Sequence, residues 1–193
     1  MHETVGARES TLPIITDPSA FASFGPYSVL HQPVVSTVNP AGIHVGEWVN
    51  IGAYSVMEAL DPDKGVQVHI GDGTYIGHFL RLTAMGEIHI GQEALISDRV
   101  YLSDNNHLYE DITVPIKRQG LRDGRRLEIA EGAWIGIGAV ICGGIRIGRN
   151  SVVAANAVVR DDVADFTVVG GDPAVVIRRH DGEQWQWVDP PAT

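Results

Sequence analysis

The sequence predicts an all-β fold, a parallel β-helix of hexapeptide coils, and three observations carry that prediction. Aliphatic residues recur every six positions, at Ile70, Ile76 and Leu82, at Ile90, Ile96 and Leu102, and at Ile129, Ile135, Ile141, Ile147, Val153 and Val159. For ten of these twelve the residue four places later forms a second, small or apolar set: Thr74, Leu80, Ala94, Val100, Ala133, Ala139, Ile145, Ser151, Ala157 and Val163. Glycine follows the aliphatic at Gly46, Gly52, Gly71, Gly77, Gly91, Gly136 and Gly148, where a sharp corner leaves little room for a side chain and can demand positive φ. Neither a helical period of 3.6 nor a strand period of 2 accounts for this spacing.

Three hexapeptides, roughly eighteen residues, close one triangular coil. The triplets beginning at Ile70, Ile90, Ile129 and Ile147 supply four coils, and Val45 with Ile51 supplies a partial coil before them. Residues 1–33 do not keep the beat and carry the turn residues Asp17-Pro18-Ser19 and Gly25-Pro26; they are expected to cap the open first coil, whose strand edges invite aggregation. The β-helix is expected over residues 34–165. Asp61–Gly65 and Met85-Gly86-Glu87 read as corner insertions. A long polar and basic excursion runs over residues 108–127, with Lys117, Arg118, Arg122, Arg125 and Arg126. Excursions of that length from a rigid scaffold are functional or disordered. Asp172-Pro173 reads as an N-cap and first helical residue, so residues 166–193 are expected to form a short C-terminal helix and a tail. Trp185 and Trp187 in that tail are expected to pack on the solenoid rather than to meet a partner.

Composition narrows the function classes. At 193 residues and 20.8 kDa one domain is expected, and no apolar run approaches the ~20 residues of a membrane span. Met1-His-Glu-Thr lacks a basic start and an apolar stretch, so a cytoplasmic location is expected. A net charge of −10 argues against nucleic acid, which is bound by neutralising phosphates with Lys and Arg. One cysteine, Cys142, excludes an internal disulfide and a Cys-based zinc site within one chain. It reads as structural.

Of eight histidines, His107 stands apart. His44, His69 and His89 sit beside corner aliphatics, where a solvated ring is the common case. His107 ends the hexapeptide Leu102-Ser-Asp-Asn-Asn-His107 in an outward position at the mouth of the excursion, beside Asp104, Asn105 and Asn106. An imidazole there is suited to accept a proton near neutral pH, and a surface histidine in an Asn-rich turn is the plainer alternative.

The residues Asp104-Asn-Asn-His107, then Pro115-Ile and Gln119-Gly, resemble the acceptor and base segment of hexapeptide-repeat O-acetyltransferases, sugar and surface-polysaccharide enzymes above all. The coil Ala133-Trp-Ile-Gly-Ile-Gly, the stretch Asn150-Ser-Val-Val-Ala-Ala155 and the terminal Gly171-Asp-Pro-Ala-Val-Val-Ile-Arg178 resemble later parts of the same family, so the likeness spans residues 40–179. The resemblance implies left-handed β-helices assembled as a homotrimer, with acetyl-CoA or another acyl-CoA as co-substrate along an intersubunit groove and no metal. It implies His107 as base and places Trp134, Gly136, Ile137 and Ala155 against acyl-CoA, with Arg178 near its nucleotide end. Asn105 stands where close relatives have a first His, Asp172 replaces an Asn, and Val175 and Asp161 occupy positions that are often basic. Arg160 is the compensating cation.

The implied reaction moves an acetyl group to a hydroxyl of a sugar or glycosylated acceptor. His107 takes the hydroxyl proton and returns it to the CoA sulfur, and a backbone N–H near Ile137 steadies the oxyanion. Asp104 fixes either the imidazole or an acceptor hydroxyl. Asn106, Tyr109 and Gln119 are acceptor-site candidates, Tyr109 and Gln119 reading singly as loop-packing residues. The alternatives are N-acetylation of an amino sugar, a γ-carbonic-anhydrase-like zinc enzyme suggested by Ile76-Gly77-His78, and a non-catalytic scaffold. The zinc alternative lacks a second His at Thr83.

Overall fold

A computed structural model describes residues 17–188. The two terminal stretches, and with them the Met1 reading and the prolines at 190 and 191, lie outside the described residues. The hexapeptide beat folds as a parallel β-solenoid with three sheets, one for each face of a triangular prism. The first sheet stacks Ser23–Phe24, Ile43–Val45, Val68–Ile70, Glu87–Ile90, Arg126–Ile129 and Arg146–Ile147. The second stacks Val29–Leu30, Asn50–Ile51, Tyr75–Ile76, Leu95–Ile96, Trp134–Ile135, Val152–Val153 and Thr167–Gly171. The third stacks Ser36–Val38, Val56–Ala59, Arg81–Ala84, Tyr101–Ser103, Val140–Cys142 and Val158–Val159. Registers are in phase with the beat: Ile70 pairs with Ile90 and Ile90 with Ile129.

All twelve beat residues from Ile70 to Val159 are at most 2% exposed. The second inward set is buried as well, with Ile145 alone only half-buried. Each coil thus adds its inward side chains to one continuous apolar column, the sum of nearest-neighbour contacts that stabilises a solenoid.

Four details depart from the sequence reading. Coils begin before residue 34: Ser23–Phe24 and Val29–Leu30 already pair with the next coil, so Phe24, Leu30 and Thr37 are beats in aromatic, aliphatic and hydroxyl form. The partial coil of Val45 and Ile51 is complete, because Met57 takes its third beat with no exposure.

The glycines after each beat are there for space, and positive φ falls two residues later, at Trp48, Tyr54, Gly73, Phe79, Glu93, Arg99, Gly132, Gly138, Asn150 and Asn156. A Cβ on Gly136 would lie 2.6 Å from Ala155 N in the next coil, which shows why the first corner position stays bare. Bulky residues tolerate the left-handed position where they stack outside the corner, Tyr27 on Trp48 at 4.2 Å and Tyr54 on Phe79 at 5.0 Å.

The expected C-terminal helix is absent. Ala174–His180 is a strand that turns back antiparallel on Thr167–Gly171, and Trp185–Trp187 pairs with it in turn. Gly171, at φ +99°, opens the reversal that Asp172-Pro173 completes, and the β-branched run Val175-Val176-Ile177 prefers a pleated surface to a helix. No helix among the described residues is long and apolar enough to cross a membrane.

Candidate functional site

The insertions of two or more residues in the beat all fall at one corner, where the third sheet hands the chain to the first. Pro40–Gly42, the 3₁₀ turn Pro62–Lys64, Met85-Gly86 and the long excursion stack there coil upon coil, and the in-phase turn Gly143-Gly144 follows them in the next coil. Lys64 Nζ donates to Met85 O at 2.9 Å, and Gln67 Nε2 donates to Ala84 O and Gly86 O at 3.4 and 3.3 Å, which ties the shorter insertions together. The excursion is closed at its neck: Leu108 N–H donates to Gly120 O at 3.1 Å, Arg122 N–H to Asn106 O at 2.7 Å and Arg125 N–H to Asp104 O at 3.3 Å. His107 lies in that neck, bridged to Leu121 and exposed to solvent. The strand resumes at Arg126, so Arg126 and the buried Leu127 belong to the coil and not to the loop.

Asp104 is the hub of the corner. Its side chain is almost wholly buried, and its carboxylate accepts from Met85 N–H at 2.8 Å, Gly86 N–H at 2.7 Å and Asn105 Nδ2 at 3.1 Å. Asn105 Nδ2 also donates to Thr83 O at 3.2 Å. Both oxygens of Asp104 are therefore directed into the previous coil, and neither of the roles left open in the sequence, orienting His107 or binding an acceptor hydroxyl, matches these contacts. A Cβ on Gly124 would collide with Gly86 N, so glycine there lets the returning loop close over the hub.

Beside the neck is a cleft of about 270 Å³ lined by Asp104, Asn105, Asn106, Tyr109, Arg122, Asp123, Arg125, Gly143 and Gly144. Tyr109 is largely exposed to it, and Arg122 is ion-paired with Glu110. Gln119 is not in this cleft: its Nε2 donates to Asp111 O at 2.9 Å and Val114 O at 2.7 Å, and its Oε1 accepts from Asp111 N–H at 3.2 Å, so the amide is spent on folding the loop. Gly143 and Gly144 were missed by the sequence reading, although Cys142 pairs in register with Ser103 and so places them beside Asp104. The Cys142 thiol is pushed above its ordinary range by burial, in keeping with a structural role.

Trp134, Gly136, Ile137 and Ala155 gather at a different corner, between the second and third sheets. Trp134 is 47% exposed and its Nε1 donates to Ser97 Oγ at 3.2 Å. In earlier coils the residue two after the beat closes the N–H of the coil before it: His78 Nδ1 accepts from Ala53 N–H at 3.0 Å and Asp98 Oδ1 accepts from His78 N–H at 2.8 Å. With Nδ1 accepting, the neutral ring of His78 carries its proton on Nε2, an arrangement that ligation of zinc in the anhydrase alternative would have to break. Ile137 and Ala155 continue the same row with apolar side chains. Among the described residues no protein group accepts from the N–H of Ile137 or of Ala155.

The two cationic candidates are both engaged. Arg160 pairs with Asp172 at 3.3 Å. Arg178 lies against the rings of Trp187 at 4.7 Å and Trp185 at 5.9 Å, its Nε buried and without a protein partner among the described residues. The Trp tail thus packs on the strand that carries Arg178.

Comparison with known proteins agrees with this architecture. The family model described as bacterial transferase hexapeptide (six repeats) matches residues 127–161. A Mycobacterium tuberculosis protein named "Probable acetyltransferase" is 32% identical over 143 residues, 74% of this chain and 46% of its own length. The galactoside O-acetyltransferase of Lactococcus lactis is 28% identical over 125 residues, 65% of this chain and 59% of its own. The chain thus spans about half the length of these two relatives. The crystal structure of a hexapeptide-repeat-containing acetyltransferase of Vibrio cholerae O1 biovar eltor, complexed with acetyl coenzyme A, superimposes with a TM-score of 0.55 at 32% identity, covering 67% of this chain and 69% of that one. With its solenoid and its beat, this chain belongs to the hexapeptide-repeat acetyltransferase family.

Proposed function

We propose that this chain is an acyl-CoA-dependent O-acetyltransferase acting on a sugar or glycosylated hydroxyl in the cytoplasm, where acyl-CoA is made. The observation that carries the reading is the exposed His107 in the neck of a basic excursion, beside a polar cleft. A hydroxyl attacks a thioester poorly until its proton is removed. In this reading the imidazole of His107 takes that proton as the new C–O bond forms. The tetrahedral oxyanion is held by a backbone N–H, for which Ile137 is the candidate, and collapses with cleavage of the C–S bond. The proton then passes from His107 to the leaving sulfur. The cleft, with Asn106, Tyr109, Arg122 and Arg125, suits a polyol whose hydroxyls find both donors and acceptors.

The base and the donor groups stand at different corners of one prism, so one acyl-CoA meets both across two chains. A trimer answers that geometry. The outward row of the second sheet, Tyr75, Leu95, Trp134, Val152 and Val168, supplies an apolar face for it, with Tyr75 45% and Leu95 42% exposed. Asp104 acts as a positioning residue in this reading, and Gln119 as a loop residue. The deciding experiment is a screen of hydroxyl and amino acceptors for thiol release from acetyl-CoA, paired with a CoA titration. Saturable CoA binding with turnover on hydroxyl sugars is expected. Turnover on amino sugars alone would replace O- by N-acetylation, and no CoA binding would leave a scaffold protein.

A further inference from the structure

The outward row of the first sheet holds three histidines in register. His44 pairs with His69 and His69 with His89, one coil apart each time, with ring centroids at 5.8 and 4.2 Å. Each stands one residue before a beat aliphatic, so the solenoid repeat alone aligns them. At the upper end of the row Glu87 bends onto the rings: its Oε1 lies 2.5 Å from His89 Nε2 and 3.7 Å from His69 Nε2. The three ligand atoms all fall within 4.8 Å of one another.

We infer that His69 Nε2, His89 Nε2 and Glu87 Oε1 form a binding site for a divalent transition metal, Zn²⁺ being the probe of choice, that joins two adjacent coils and takes no part in acyl transfer. Strands stack about 4.8 Å apart, so imidazoles in register on neighbouring coils present their Nε2 atoms side by side. A zinc ion needs ligand atoms about 2.0–2.2 Å from itself, so tetrahedral ligands stand about 3.4 Å apart, a spacing that the 2.5 and 3.7 Å separations to Glu87 Oε1 bracket. Two imidazoles and one carboxylate are a borderline donor set that favours Zn²⁺ over Mg²⁺ or Ca²⁺. Three protein ligands leave a fourth position for water.

Arg126 Nη1 lies 3.8 Å from the other oxygen of Glu87, and its Nη2 lies 3.3 Å from Glu128, so its charge is already shared between two carboxylates. The His69 and His89 side chains are 34% and 27% exposed, so an ion has access from solvent. In the competing arrangement the Glu87–His89 contact is simply a hydrogen bond.

The test is titration of metal-free protein with Zn²⁺ by calorimetry, with the imidazole signals followed by NMR. One site per chain is expected, weakened at least about tenfold by His69→Gln and by His89→Gln separately, and unchanged by His31→Gln and His180→Gln. Where a variant loses its fold, the wild-type spectra decide: shifts of the His69 and His89 imidazoles uphold the site. Zinc uptake that shifts only other histidines, uptake indifferent to both substitutions, or no uptake at all would overturn it.

Discussion

The buried carboxylate of Asp104 reaches out of its own coil to the backbone of Gly86, accepting that N–H at 2.7 Å while it also accepts from Met85 at 2.8 Å. One acid therefore fixes the insertion of one coil and, through Asn105 and the neck, the segment that carries His107. Asp104→Asn keeps the shape but turns an acceptor into a donor facing an N–H. A loss of about 1–3 kcal/mol is expected from the unsatisfied group, read as a lower thermal midpoint. Catalysis should fall through acceptor KM and kcat, with CoA affinity kept. An unchanged midpoint would mean that the hub does not hold the corner.

His107→Ala should fold as the wild type does, because the side chain is exposed, and should lower turnover by about 10² or more. Circular dichroism and thiol-release kinetics check both halves. Near-normal transfer by the folded variant would remove the base.

Ala155→Asp would restore the rule of the earlier coils, placing a carboxylate where Asp98 stands relative to His78. The new oxygen should accept from Ile137 N–H and take that donor away from acyl-CoA. CoA Kd is expected to rise at least about tenfold at unchanged or improved thermal stability. Equal CoA affinity would show that these amides do not face the donor.

Leu95→Glu puts a charge into the apolar outward row of the second sheet. Light scattering should show a wild-type trimer and a monomeric, still β-helical variant whose activity is lost because base and donor groups no longer meet. A wild-type monomer at micromolar concentration would contradict the intersubunit groove.

Asp181 accepts from Glu183 N–H, Gln184 N–H and Gln186 Nε2, and the backbone bond from Gln184 does most to hold its pKa at about 2. A carboxyl depressed on folding stabilises the hairpin above its ordinary value of ~3.9 and loses that contribution as pH falls toward about 2. Carboxyl NMR should find a midpoint near 2, with the Trp185 and Trp187 strand loosening only below ~3.9. A midpoint near the ordinary value would show that the turn is open in solution.

The middle of the solenoid was legible because an inward position every six residues tolerates almost nothing but aliphatic side chains. Its ends were not, for two reasons. Phe24 and Thr37 fill beats with atypical residues at the first coil, and the local Asp172-Pro173 signal for a helix yields to pairing with Thr167–Gly171, a contact that propensity does not contain. The exposed place of His107 at the mouth of the excursion was legible from the hexapeptide phase, and its role as base remains the proposal made above. The duty of Asp104 was not, since it depends on Met85-Gly86 arriving from another coil. The row His78, Asp98, Ile137, Ala155 was readable in principle, because the loss of polar side chains two residues after the beat is written in the sequence and marks where the corner amides are left without acceptors among the described residues.

The stacking of every insertion of two or more residues at one corner divides the molecule into two regions with different freedom to vary. Beyond the first coil, a lengthened loop along the other two corners would disturb the bare positions and left-handed residues that keep coils in phase. At the insertion corner the chain leaves and returns through a closed neck, so what lies beyond His107 is decoupled from the pitch of the solenoid. Transplanting residues 108–122 between relatives should therefore change which acceptor is chosen while leaving thermal stability and the donor groove as they were.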